Sequence, residues 1–238
     1  MKIKLYRSCF YVFLCCVNVA IVNTSDAQQA YTKAAVNAFL ITRMAAKFHV
    51  QPRTVNDSFS INVYDQLLTE ADPDKTVFLQ EDIDKFSAWS MRIDDDILQR
   101  QTSFINLFSS VYKQRLLQSD SIIKIISSAS FDYDLPGMFT TKEQQSFPAD
   151  ITAMKEKLFK TIRLNTVIEL AGKINDMKFE NAAQQKKITD SLSKIYWHKE
   201  CGYIKRICTS LLQGAESFEQ QMGNMYCNVI AQCYDPHT

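Results

Sequence analysis

Three histidines and a late group of cysteines are the residues of this chain best equipped for chemistry. The histidines are His49, His198 and His237. His198 and Cys201 stand three positions apart, one face of a helix, and Cys208 follows a heptad later, so Trp197-His198-x-x-Cys201 with Cys208 can be drawn as a metal cluster. It lacks the paired Cys-x-x-Cys spacing that makes zinc ligation a strong reading. The favoured reading is a partly buried histidine beside core or disulfide-forming cysteines, with no metal and no cofactor. Asp94-Asp95-Asp96 also invites a cation. Successive helical residues point about 100° apart, so three carboxylates in a row do not converge, and a solvated face is expected. There is no Gly-x-Ser-x-Gly elbow and no Gly-rich phosphate loop. No catalytic residue is assigned.

The elements that must position these groups are helices. Hydrophobic residues make up 46% of the chain and charged residues 22%, enough for a real core. Only 5 Gly and 5 Pro are present, too few to punctuate the turns of an all-β fold. A net charge of +1 without any basic run argues against a nucleic-acid surface. The expected fold is all-α, an irregular domain of about six to eight helices with one long loop near 129–149.

Apolar spacing marks the helices in turn. Val36, Leu40, Met44 and Phe48, with Phe39 beside them, read as a first buried stripe. Asn56 or Asp57 caps a second helix that buries Phe59, Val63 and Leu67, and Asp72-Pro73-Asp74 is a turn. Phe78-Leu79 then leads into an acidic helix start at Gln80-Glu81-Asp82. Phe104, Leu107, Phe108, Val111, Tyr112 and Leu116 define a long helix. The irregular stretch Ser127–Asp150 carries Phe131 and Tyr133 as anchors to the helical body. Asp150 caps a helix with Met154, Leu158 and Ile162 buried, and Gly172 and Asn175-Asp176 suggest a break. The next helix is expected to bury Ile188, Leu192, Ile195, Tyr196, Tyr203, Ile207 and Leu211, and the last to bury Phe218, Met222, Met225, Tyr226, Val229 and Cys233.

Lys2, Lys4 and Arg7 precede an apolar run from Cys9 to Val22, and Ser25 and Ala27 place small residues before a cleavage point between Ala27 and Gln28. This is the pattern of a secretory signal over 1–27, with a helical domain over 28–238 and a sub-boundary expected, if anywhere, in the 129–149 loop. The alternative is a retained anchor, although the run is short for a span of about 20 residues and contains Asn18. Neither Cys15 nor Cys16 follows a small residue as lipidation requires. Export leaves Cys201, Cys208, Cys227 and Cys233 in an oxidising compartment. Cys201 and Cys208 would lie about 10 Å apart on one helix, too far to bond each other. A turn near Gln213–Ser217 would set Cys208 opposite Cys227 and Cys201 opposite Cys233. Cys227 and Cys233 face about 120° apart, so one bridge is easier to satisfy than two. Four buried thiols are the alternative.

Three stretches, taken in order, carry a resemblance. The first holds His49, Leu67, Leu68, Asp72, Pro73, Phe78, Leu79, Asp82 and Ile83, with Ala71 standing where a leucine is expected. The second is the Ser127–Asp150 loop, with an aromatic-Asp start and a proline before the next helix. The third is the ending Asp235-Pro236-His237-Thr238, a helix stop followed by a domain junction. Together they resemble the N-terminal helical domain of the tail-specific (C-terminal processing) serine proteases, truncated before the PDZ and catalytic domains. The resemblance implies an exported protein of the periplasm or envelope of a Gram-negative bacterium. In that family the PDZ domain engages a substrate's C-terminus and a serine–lysine dyad cuts. The dyad is absent here, so this chain alone is expected to be inert. Its implied role is to frame the substrate cavity and dock an adaptor, with protein substrates or an adaptor as partners. A reading from a different class is a stand-alone secreted helical protein-interaction module, binding through a helical groove or the Phe131–Pro148 loop.

Overall fold

Helices start where a side chain accepts their first free N–H groups. A computed structural model describes residues 26–129, 131 and 146–235, and shows eight helices and no strand among them. The N-terminal segment 1–25, the loop stretch with Tyr133, Pro136 and Gly137, and Pro236, His237 and Thr238 lie outside the described residues. Helix α1 covers residues 26–48, α2 Asp57–Ala71, α3 Gln80–Ser87, α4 Ile93–Gln99, α5 Ser103–Ser128, α6 Ile151–Asn175, α7 Ala182–Gln213 and α8 Phe218–Gln232. The Asn56 carboxamide accepts the Phe59 N–H at 3.2 Å, and Asp150 accepts the Ala153 N–H at 2.8 Å. Asn181 caps α7 through the Gln184 N–H at 2.8 Å. Helix α6 runs on through Gly172 and ends at Asn175.

The chain divides into two compact units, the first up to Tyr64 with Ser90–Leu107 and Glu219 onward, the second Asp65–Trp89 with Phe108–Phe218. In the first unit α1 turns Tyr31, Ala34, Ala35, Ala38 and Thr42 inward, while Val36, Leu40, Met44 and Phe48 are 39%, 49%, 61% and 70% exposed. The stripe expected in the core is therefore the outer face, and the cause is steric. Helix α1 meets α8 through small residues. A Cβ added at Gly223 would sit 3.0 Å from Ala34 Cβ, and the Cys227 thiol donates to the Ala34 carbonyl at 3.5 Å. Backbones this close leave no room for Leu or Phe at the contact.

The aspartate triplet also departs from expectation. Only Asp95 faces solvent; Asp94 and Asp96 are buried. The Asp94 N–H donates to Ser60 Oγ at 2.8 Å, and the Ser60 hydroxyl donates back to the Asp94 carboxylate. Asp96 accepts the Phe104 N–H at 2.8 Å, capping α5. Buried polar groups need partners, and here they find each other across helix ends. Phe59 packs on Tyr234, ring centroids 5.3 Å apart, and His49 meets Tyr234 edge-on at 6.1 Å.

In the second unit Phe78 is the centre of an aromatic cluster, 5.4 Å from Phe86, 5.5 Å from Phe108 and 5.3 Å from Tyr112. Such tilted and edge-on pairs add about 0.5–1.5 kcal/mol each beyond area burial. Helices α6 and α7 pack on each other, with Lys199 bonded to both Glu169 carboxylate oxygens at 2.7 and 2.8 Å. Helix α7 buries Ser193, Trp197, Glu200, Cys201 and Cys208, whereas Ile195, Tyr203 and Ile207 are exposed. The expected stripe is rotated. Trp197, stacked by Phe131 at 4.9 Å and met edge-on by Phe159 at 5.6 Å, sets the inward direction.

Candidate functional site

The turn between α2 and α3 is built by one carboxylate. Asp72 is buried, and its Oδ1 accepts the Thr76 N–H at 2.8 Å while Oδ2 accepts those of Val77 and Phe78, each at 2.9 Å. Pro73 follows, Lys75 takes the left-handed φ of 53°, and the chain swings so that Phe78 drops into the aromatic cluster. The Tyr112 hydroxyl donates to the Ala71 carbonyl at 2.9 Å, pinning the end of α2 to α5. Burial pushes the Tyr112 phenol well above its ordinary range, so it stays a donor.

At the head of α3, Asp82 accepts the Leu79 N–H at 2.9 Å. The leucine side chain has no acceptor to return, so only half of a capping box exists. Asp82 is gripped by Arg115, Nε to Oδ2 at 2.7 Å and Nη2 to Oδ1 at 2.9 Å. Arg115 also bonds Glu81 and reaches Gln118 at 2.9 Å. The Gln80 N–H, another unpaired donor of that first turn, is taken by the Pro148 carbonyl at 2.8 Å. The returning segment is held a second time, because Lys157 donates to the Ser146 carbonyl at 2.7 Å.

These tethers leave a cleft of about 260 Å³ beside the returning segment, lined among others by Phe147, Pro148, Ala153, Lys157 and Lys160. Lys75 lies over the Phe147 ring, 5.3 Å from its centroid. Burial lowers the Lys157 ammonium from its ordinary value, with the nearby Asp72 opposing that shift. The cleft offers an apolar floor, ammonium groups and a carboxylate at Glu156. Ser146 lines it too, with its carbonyl held by Lys157, so polar and apolar groups face the same opening.

The sequence matches the model of the family described as the tail specific protease N-terminal domain over residues 40–238. The chain belongs to this family. No curated protein matches the chain. In this tail-specific protease domain the matched region takes in both Asp72 and Asp82, the two buried carboxylates of the first resembling stretch, and they prove to organise the α2–α3 connection.

The other expected site residues are scattered within the tail-specific protease domain. His198 is exposed and Cys201 buried, so the drawn cluster has no common face. Among the described residues no three or more His, Cys, Asp or Glu side chains gather to hold a metal. Cys201, Cys208, Cys227 and Cys233 are unbridged thiols in the structure, the first two in the second unit and the others in the first. Ala27 and Gln28 lie within α1, and Asp235 donates its N–H to the Ala231 carbonyl at 3.2 Å just before Pro236. Among the described residues no helix is long and apolar enough to cross a membrane. Sequence reasoning missed Ser60, Arg115 and Lys157. Arg115 carried a signal: it lies within the Tyr112–Leu116 apolar face, where a charge must find a partner.

Proposed function

We propose that this chain is the non-catalytic helical front of an exported tail-specific serine endopeptidase, working in the periplasm or envelope of a Gram-negative bacterium. The observation that carries this reading is the family match over 40–238. On this reading residues 1–27 are the export signal, and proteolysis resides in PDZ and Ser–Lys domains beyond Thr238. The helical domain frames the cavity that receives a protein substrate and docks an adaptor. The Phe147–Pro148 cleft supports that role, since an apolar floor with flanking lysines and one carboxylate suits an extended polypeptide.

The test begins with the reading frame past the Thr238 codon. A frame continuing into a PDZ domain and a Ser–Lys core is expected. The whole enzyme should then trim a protein with a free apolar C-terminus, and deletion of residues 28–238 should abolish trimming of folded substrates. An immediate stop codon would end the protease reading. A monodisperse chain by light scattering would then point to a stand-alone interaction module.

A further inference from the structure

The outward face of α1 sets large apolar residues among cations, and the helix's one acid is Asp26 at its first residue. Val36, Leu40, Met44 and Phe48 recur every fourth residue and are 39–70% exposed, and Val50 just beyond is 93% exposed. On the same arc stand Lys33, Arg43 and Lys47, all exposed, and residues 27–48 contain no Asp or Glu. At 100° per residue, Lys33 and Lys47 project between Val36 and Met44 rather than along the edges of the stripe. Lys47 lies over the Phe48 ring at 5.1 Å, and on the flank Arg100 stacks on Phe39 at 4.4 Å.

From this arrangement we propose that α1 is an interfacial helix that docks the domain on an anionic lipid surface. The placement of the charges selects the occupant. An apolar protein groove accepting Leu40 and Met44 would have to bury two ammonium groups with them, which is costly unless each is paired. At a bilayer surface the same lysines lay their alkyl stems along the apolar boundary and extend to lipid phosphates, while Leu40, Met44 and Phe48 enter the acyl edge. Small residues on the opposite face already hold α1 to α8, so docking leaves the fold unchanged.

The test is cosedimentation of the chain beginning at Gln28, which keeps nearly every described residue, with vesicles. Vesicles of mixed phosphatidylglycerol and phosphatidylcholine should retain it, and pure phosphatidylcholine should retain it poorly. Leu40→Gln with Phe48→Gln should cut retention at least about tenfold, and each of Lys33→Glu and Lys47→Glu about fivefold or more. Ile195→Gln with Ile207→Gln, exposed apolar positions on α7, should leave it intact. All variants should keep native helicity by circular dichroism. Absence of retention on anionic vesicles overturns the proposal, as does an equal loss in the α7 variant. A lipid-free dimer dispersed by Leu40→Gln with Phe48→Gln also overturns it and names a second copy as the occupant.

Discussion

Arg115 holds Asp82 by two parallel hydrogen bonds, at 2.7 and 2.9 Å, with both side chains buried. Removing one partner strands the other charge away from water. Arg115→Met is expected to cost about 3–5 kcal/mol in urea unfolding. Arg115→Lys should also destabilise, because an ammonium lacks the planar fork that matches the carboxylate.

The Asp72 turn makes a second prediction. Asp72→Ala leaves the Thr76, Val77 and Phe78 N–H groups without their acceptor, and should lower stability by about 3 kcal/mol. Asp72→Asn keeps one acceptor oxygen and should cost roughly half as much. Equal effects of the two substitutions in thermal melts would show that the carboxylate's geometry is not what shapes the turn.

Two helical glycines should respond with opposite signs. A Cβ at Gly172 meets nothing within 4 Å, so Gly172→Ala should stabilise by about 0.5–1 kcal/mol through helix propensity. At Gly223 the new atom meets Ala34 Cβ at 3.0 Å and the Ala30 carbonyl at 3.7 Å. Gly223→Ala should destabilise, and Gly223→Val should do so by about 1–3 kcal/mol. Paired melts of the variants read the difference directly.

Burial pushes each of the Cys201, Cys208, Cys227 and Cys233 thiols up to about 11 from an ordinary 9.0. Native protein should therefore react slowly with a thiol reagent at neutral pH, and unfolded protein quickly. A group that holds its proton more tightly when folded loses its stabilising contribution as pH rises. Unfolded thiols ionise from about pH 9, so stability should fall between pH 9 and about 11 and recover on acidification. Mass spectrometry of chain oxidised after export tests the Cys208–Cys227 and Cys201–Cys233 pairings. Either bridge would appear as a linked peptide that dissolves on reduction.

The fold was legible wherever one large apolar face meets another. Phe59, Val63 and Leu67 on α2 and Met154, Leu158 and Ile162 on α6 are all buried as their spacing predicts, and the Asn56 and Asp150 caps follow from side-chain chemistry alone. Reading failed where contact depends on smallness. The Ala34, Ala38 and Gly223 seam carries little hydrophobic signal, so the louder Val36–Phe48 stripe reads as the core. Reading failed again where acids serve helix ends, because the acceptors needed by Ser60 and Phe104 are set by tertiary neighbours and not by the run Asp94-Asp95-Asp96. Within the cleft, Phe147 and Pro148 were visible as loop residues, but the Lys157 tether depends on a register between segments that local spacing does not encode.

The bond from Gln80 to the Pro148 carbonyl also bears on how the second unit is born. Helix α3 is short, and its first turn stays incomplete until a segment from the far side of α5 returns to close it. An isolated helix of that length is marginal in water. A growing chain that has emitted α3 but not yet Pro148 therefore carries an unsealed helix whose partner arrives later. The rate at which this unit folds should depend on how quickly Pro148 finds Gln80, and a cut between Ser128 and Ser146 would turn that closure into an encounter between two chains.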